Sequence, residues 1–275
     1  MILFGIVTYK EIFWECKTFQ TLLHSFRKNK KEDEKIHVFV FDNTDVDTWN
    51  LILPSFDDIK LYYIHNKTNP GISFAYNSIA EYAKNEGINY ITFLDQDTEL
   101  PLNFYEVYSN SCLTNQPLYA PKIYAGGKLV SPSRYVNFRS VLFDEITEKE
   151  LPLQKISCIN TGMMIKTETF FMNKGYNPSL RLDFCDHEFI ERLSHFNINM
   201  SILQVKINQN FSFLENTKQQ DISRYRLFVR DLKVYAKSSG KETKMFFYVD
   251  LPRLLKLTFR HKTFAFFKIR LGISN

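Results

Sequence analysis

Cysteine is scarce in this chain, with four among 275 residues: Cys16, Cys112, Cys158 and Cys185. None stands in a C-x-x-C pair. That spacing offers no zinc signature and no compact disulfide framework, so buried or free thiols in a reducing compartment are expected. Glycine and proline are also few, nine of each, which argues against a long flexible linker. No run of about 18 uninterrupted apolar residues occurs, so no transmembrane helix is expected. The opening run Ile2-Leu3-Phe4-Gly5-Ile6-Val7 lacks a basic leader and a small-residue cleavage site. It reads as a first strand and not a signal peptide, which makes the cytoplasm the expected location. Also missing are G-x-x-x-x-G-K-[ST], a strand followed by G-x-G-x-x-G, and G-x-S-x-G. P-loop, dinucleotide-binding and serine-hydrolase elbow chemistry therefore lack support.

What is present suits a globular enzyme. Hydrophobic residues make up 44% and charged residues 24%, enough for a substantial core and close to ordinary soluble usage. Apolar runs at 2–8, 36–41, 60–64 and 90–94 read as strands. Segments 15–29, 73–86 and 102–113 read as helices, with Ser73 as a cap, Gly87 as a C-terminal stop and Pro101 in a first turn. Alternation of this kind predicts an α/β fold with a mostly parallel sheet flanked by helices. Residues 119–165 look like short strands and loops, and helices are expected at 186–196 and 222–238. Two units are expected: a catalytic domain over 1–220 and a helical extension over 221–275.

Ligands of parallel sheets bind at the carboxyl ends of the strands. Three polar clusters fall there: Thr8-Tyr9, Asp42-Asn43 and Asp95-Gln96-Asp97. Two carboxylates flanking one residue suit a hard divalent cation, Mn²⁺ or Mg²⁺, which can bridge to a diphosphate. A solvated turn explains the same tripeptide, since Asp is common in turns. Asp42-Asn43 can face a pyrimidine or ribose, or form an Asx turn. In Asn69-Pro-Gly-Ile-Ser-Phe-Ala-Tyr-Asn77, Gly71 allows close backbone approach to a ligand. In Asp183-Phe-Cys-Asp-His-Glu188, one carboxylate can act as a general base toward a hydroxyl, although acids at a helix start are also favoured by the helix dipole. His187 is a weaker ligand candidate.

Asn69–Asn77 followed by Phe93-Leu-Asp-Gln-Asp-Thr98 resembles family 2 glycosyltransferases of the GT-A type. The Leu94-Asp95-Gln96-Asp97 form is similar to the bacterial rhamnosyltransferase branch. Thr161-Gly162-Met163-Met164-Ile165 and the stretch from Asp183 to Arg192 follow in the family's order. The resemblance covers roughly residues 1–235. It implies Thr8, Tyr9 and Asp42 at the base and ribose, and Asn69, Gly71 and Asn77 at the diphosphate and donor sugar. It places Asp95 and Gln96 in the donor site, Asp97 on the metal, Asp186 as catalytic base, and Thr161, Gly162 and Glu188 near sugar or acceptor. It further implies an inverting displacement from a dTDP- or UDP-linked donor, with rhamnose first and glucose, galactose or galactofuranose behind it. The acceptor would be a glycan or lipid-linked glycan in bacterial surface polysaccharide or glycoprotein synthesis. The family's later His is not evident, and Asn208 or Asn210 occupies that region. That departure motivates an alternative, a non-catalytic sugar-nucleotide-binding partner in a glycan assembly complex.

The net charge is only +5, but its basic excess gathers at the end. Residues 245–270 mix aromatic and basic side chains, as in an interfacial helix on anionic lipid. Packing against the catalytic domain or a second subunit, giving a homodimer, explains the same pattern. No nucleic-acid-binding motif accompanies the charge, so no nucleic acid is expected as a partner.

Overall fold

A computed structural model describes residues 1–46, 52–209 and 217–273. Asn210, one of the two positions standing where the family's His is expected, lies outside the described residues. In chain order the elements are β1 (Ile2–Thr8), α1 (Lys17–Asn29), β2 (Ile36–Asp42), β3 (Ile59–His65), α2 (Ile72–Asn85), β4 (Tyr90–Asp95) and α3 (Phe104–Ser111). Next come β5 (Leu118–Ala125), β6 (Lys128–Ser131), β7 (Ser133–Val136), β8 (Arg139–Val141), β9 (Glu150–Pro152), β10 (Ile156–Ser157) and β11 (Met164–Lys166). The chain continues with α4 (Thr167–Met172), α5 (Cys185–Leu193), β12 (Asn199–Asn208), α6 (Lys218–Ser239), α7 (Glu242–Met245), α8 (Leu251–His261) and α9 (Ala265–Leu271).

The main sheet runs β3-β2-β1-β4-β11-β5-β12-β9, with β6 beside β5. Strands β3, β2, β1 and β4 are mutually parallel, and β12 is parallel to β5; β11 and β9 join antiparallel. The expected α/β architecture with a mostly parallel sheet is thus the observed one. Residues of β1, β2 and β4 are buried almost throughout, as continuous apolar strands require when both sheet faces are covered. One face carries a core with Phe19, Leu22 and Phe26 of α1 and Phe104 and Tyr108 of α3. The other packs Ala75, Ile79 and Ala80 of α2 with Phe189 of α5 and Phe228 of α6.

Several local expectations shift. Helix α2 is capped at Gly71 and not by Ser73, whose buried hydroxyl has no partner among the described residues. The reason is tertiary: Ile72 N–H donates to the Arg181 carbonyl at 2.7 Å, which starts the helix one residue earlier. Pro101 precedes the cap of α3, because its carbonyl accepts Phe104 N–H in a turn before the helix. Gly87 does close α2, at φ +64, with Ile88 N–H returning to the Ala83 carbonyl, the six-to-one bond of a left-handed helix stop.

Position 220 falls inside α6, which starts with a capping box between Thr217 and Gln220. The extension packs on this helix. Met245, Leu254, Leu257 and Phe266 join the same core as Tyr225 and Phe228 of α6. Fully buried Asp250 accepts the Tyr225 hydroxyl at 2.8 Å and the Arg270 guanidinium, and His261 pairs with Asp221 of α6 at 2.6 Å. Among the described residues no helix is long and apolar enough to cross a membrane.

Candidate active site

Strand register brings the polar clusters together. Thr8 of β1 lies opposite Asp42 of β2, and Val7 opposite Asp95 of β4. The three strands therefore end side by side, at the carboxyl edge where α/β sheets bind ligands. A cleft of about 360 Å³ opens there, within the range of small-molecule sites. Its walls include Thr8, Tyr9, Asn43, Asn69, Gly71, Asp95, Gln96, Asp97 and Arg181.

The Asp95-Gln96-Asp97 turn is braced from three sides. Thr18 of α1 donates its hydroxyl to the Asp95 carbonyl and, at 2.9 Å, to the Thr98 carbonyl. Gln96 ties the turn to the end of β1, its side-chain oxygen accepting Tyr9 N–H at 2.6 Å. Asp95 Oδ1 accepts the buried Tyr76 hydroxyl at 2.9 Å, and Asp95 N–H donates to Thr161 Oγ1 at 3.1 Å. Burial pushes the Asp95 carboxyl up to about 6; the Tyr76 hydrogen bond opposes this, and the charges of Asp97 and Asp186 add to it. Three carboxylates thus share one field. Glu11 stands at its edge, raised first by burial and then by Asp97, and no sequence pattern marked it.

Asp97 is exposed and has no protein partner among the described residues. The same residues assemble no group of three or more His, Cys, Asp or Glu side chains able to hold a metal ion. The donor set still fits Mg²⁺ or Mn²⁺ of the kind held by one or two carboxylates together with substrate phosphates and water. It does not fit a metal caged by protein alone.

Two buried polar atoms beside the cleft lack partners among the described residues: Thr8 Oγ1 and Asn43 Oδ1. Such atoms are costly unless something pairs with them, and both sit at the β1–β2 end of the cleft. Asp42 itself is not among the described residues that line the cleft. It is buried, with Oδ1 accepting Thr44 N–H at 2.9 Å and Oδ2 accepting the Tyr63 hydroxyl at 2.8 Å. Asp42 therefore shapes the turn, and Asn43 presents the side chain to the cleft.

Other predicted residues are likewise absorbed by the scaffold. Both ends of the Asn77 amide are bonded to the main chain of Tyr176, at 2.9 and 2.8 Å, and Asn77 does not line the cleft. Thr161 is fully buried, bonded to Asp95 N–H and the Thr98 hydroxyl. Gly162 is interior too: an added Cβ would sit 2.7 Å from Pro121. Its carbonyl accepts the Tyr108 hydroxyl at 2.5 Å. Gly71 (φ +102) lines the cleft, and the Arg181 carbonyl would lie 2.6 Å from a Cβ added there.

The acidic segment sorts itself by pairing. Asp183 forms a two-pronged ion pair with Arg224 of α6. Glu188 does the same with Arg192 at 2.7 and 2.9 Å, and Arg192 also holds the carbonyls of Asn173 and Gly175. Asp186 is left without a cation: Oδ1 accepts the N–H of His187 at 2.8 Å, and Oδ2 has no partner among the described residues. His187 is occupied elsewhere, bonded to Ser157 at 2.5 Å and stacked on Tyr135 with ring centroids 4.5 Å apart.

The model of glycosyl transferase family 2 matches residues 4–170, more than half of the chain. No curated protein sequence matches. Among solved structures, S. aureus TarS 1–349 in complex with UDP-GlcNAc superposes with a TM-score of 0.60 at 13% identity, covering 99% of this chain and 79% of that one. The S. aureus TarS 1–349 complex with UDP superposes at 0.56 and 15% identity, covering 84% and 65%. GalNAc-T7 with UDP, GalNAc and Mn²⁺ superposes at 0.56 and 13% identity, covering 99% and 56%. This chain spans only 39% of the longer S. aureus TarS structure. At these identities the likeness is one of fold.

Proposed function

The chain belongs to glycosyl transferase family 2, and on that premise we propose an inverting transfer of one sugar from a nucleoside-diphosphate donor to a glycan or lipid-linked glycan hydroxyl. The observation that carries this is Asp186, the one carboxylate of the 183–188 segment with no cation beside it, close enough in charge to raise Asp95. The acceptor oxygen attacks the anomeric carbon as the bond from that carbon to the diphosphate breaks. The hydroxyl proton passes to Asp186, and the nucleoside diphosphate leaves with the bonding pair. Thr8 and Asn43, with their unpaired oxygens, hold the base and ribose. Tyr9, Asn69, Asp95 and Gln96 line the path toward the sugar.

Asp97, assisted by Asp95, would hold Mn²⁺ or Mg²⁺, which when bound neutralises charge on the departing diphosphate. Pyrimidine donors, UDP- or dTDP-linked, suit the narrow β1–β2 wall, and solved relatives of the fold contain UDP. Rhamnose is the first sugar to test, on the strength of the Leu94–Asp97 form, with glucose, galactose and galactofuranose next.

The extension supplies a membrane-facing side. Residues 251–275 contain six Lys or Arg and no Asp or Glu. Leu255, Phe259 and Phe264 are exposed, Phe259 and Phe264 by about three-quarters, while Leu254, Leu257 and Phe266 point into the core. On α8, Leu255 and Phe259 stand one turn apart beside exposed Lys256 and Arg260. This face suits anionic lipid and would bring the catalytic domain to a lipid-linked acceptor.

The test is a donor panel with Mn²⁺ and bacterial glycan acceptors, following release of nucleoside diphosphate and the anomeric configuration of the product by NMR. An inverted product that disappears in Asp186→Asn is expected. Retention of configuration, or full activity in that variant, would overturn the assignment. Donor binding with no transfer or hydrolysis on any acceptor would favour the non-catalytic alternative.

A further inference from the structure

Among the described residues that line the cleft, Arg181 is the only Lys or Arg. Its main chain is fixed on both sides: its N–H donates to Asp231 at 3.2 Å, and its carbonyl accepts Ile72 N–H at 2.7 Å. Its guanidinium donates to the Asn69 carbonyl and forms no ion pair among the described residues, although Asp95 and Asp97 line the same cleft. A guanidinium has five N–H donors in a planar fork matched to phosphate oxygens. Here one backbone oxygen engages it, and no carboxylate does. The part of the sequence where a late His was expected contributes the neutral Asn208, at the end of β12.

We propose that Arg181 binds the donor diphosphate, supplying positive charge to the cleft from the loop before α5. The proposal rests on the cleft being the donor site. A nucleotide-sugar diphosphate carries two negative charges and would enter a cleft that already holds Asp95 and Asp97. A divalent cation at Asp97 would offset part of that repulsion, and Arg181, held against the Asn69–Gly71 turn, would offset more. Gly71 serves this arrangement: any side chain there would collide with Arg181 and push it out of the wall.

The test is isothermal titration of wild type, Arg181→Gln and Arg181→Lys with UDP, UMP and uridine in the presence of Mn²⁺, alongside thermal melting of each protein. The expected result is a loss of about tenfold to hundredfold in UDP affinity for Arg181→Gln, with uridine affinity nearly unchanged and UMP intermediate. Arg181→Lys should recover part of the loss, because it restores charge without the fork. If Arg181→Gln binds UDP as wild type does, or weakens UDP and uridine in parallel, Arg181 serves the scaffold and the proposal fails. If wild type binds neither UDP nor dTDP with Mn²⁺, the donor-site reading fails and takes this one with it.

Discussion

Asp231 on α6 accepts the backbone N–H of Asp183 at 2.9 Å through Oδ2, and the same oxygen accepts the N–H groups of Leu182 and Arg181 at 2.8 and 3.2 Å. One fully buried carboxylate thus gathers three successive amides of the loop that leads to Asp186. Arg224, two turns earlier on α6, grips the Asp183 side chain. Helix α6 therefore holds the loop that carries the cleft's arginine and leads into α5, where the carboxylate proposed as base lies.

Asp231→Ala should destabilise the protein by about 1–3 kcal/mol, since it strands three half-buried N–H groups. Urea unfolding followed by circular dichroism measures this. Turnover should fall more than donor affinity, because the loop before Asp186 loosens while the β1–β2 wall stays intact. Equal loss in Asp231→Asn, which keeps an acceptor oxygen, would show that charge matters more than the hydrogen bonds.

Asp186→Asn and Glu188→Gln should separate chemistry from scaffold. The first should lower kcat by about 10²–10⁴ with an unchanged melting temperature. The second removes charge from a buried pair that holds two backbone carbonyls through Arg192, and should chiefly lower stability, by about 3 kcal/mol. Steady-state kinetics beside thermal melts decide the matter. A stable Glu188→Gln protein with kcat reduced to the Asp186→Asn level would reassign the base.

Asp95 gives a pH signature. Its folded value, about 6, stands above the ordinary 3.8, so the folded chain holds this proton more tightly than the unfolded one. Its contribution to stability is therefore most favourable below about pH 4 and is lost as pH rises through about 6. Asp95→Asn removes the ionisation while keeping an acceptor for Tyr76. It should raise the melting temperature by a few degrees at pH 7.5, by less at pH 4.5, and leave it nearly unchanged at pH 3. Mn²⁺ affinity of the wild type should weaken as pH falls below about 6, when Asp95 takes up its proton.

Thr8→Val replaces a buried hydroxyl that has no protein partner with an isosteric methyl. The ligand-free protein should melt at the same temperature or slightly higher, because an unpaired polar group is removed. Affinity for UDP, measured by calorimetry, should nevertheless fall about fivefold or more. A drop in stability with unchanged affinity would place the hydroxyl in the scaffold.

Phe259→Glu reverses the character of the outward face of α8 without touching the buried Leu254 and Leu257. Co-sedimentation with phosphatidylglycerol-rich vesicles should decline severalfold, and binding to neutral phosphatidylcholine vesicles should be weak for both proteins. Unchanged sedimentation would remove the lipid face; conversion of a wild-type dimer to a monomer would assign the surface to a second copy of the chain.

Sequence alone determined the layered α/β frame and the position of the cleft. Continuous apolar runs such as Ile36–Phe41 and Tyr90–Leu94 can be buried on both faces only as central parallel strands, and each ends where its polar residues begin. Those signals are local, so they survive without tertiary knowledge. Which polar side chain faces the ligand is not local. Asp42 and Asn43 are adjacent and chemically alike, yet Tyr63, 21 residues further on, captures Asp42 and leaves Asn43 at the cleft. Asp183, Asp186 and Glu188 are chemically alike, and only the family resemblance distinguished Asp186 along the chain. Arg224 and Arg192 claim two of them, and the third is left over. Arg181 carried no motif at all: its place in the cleft wall follows from a glycine 110 residues away and a buried aspartate on α6. Which carboxylates are paired was decided by which opposite charge or orphaned amide lies within hydrogen-bond reach in the folded chain.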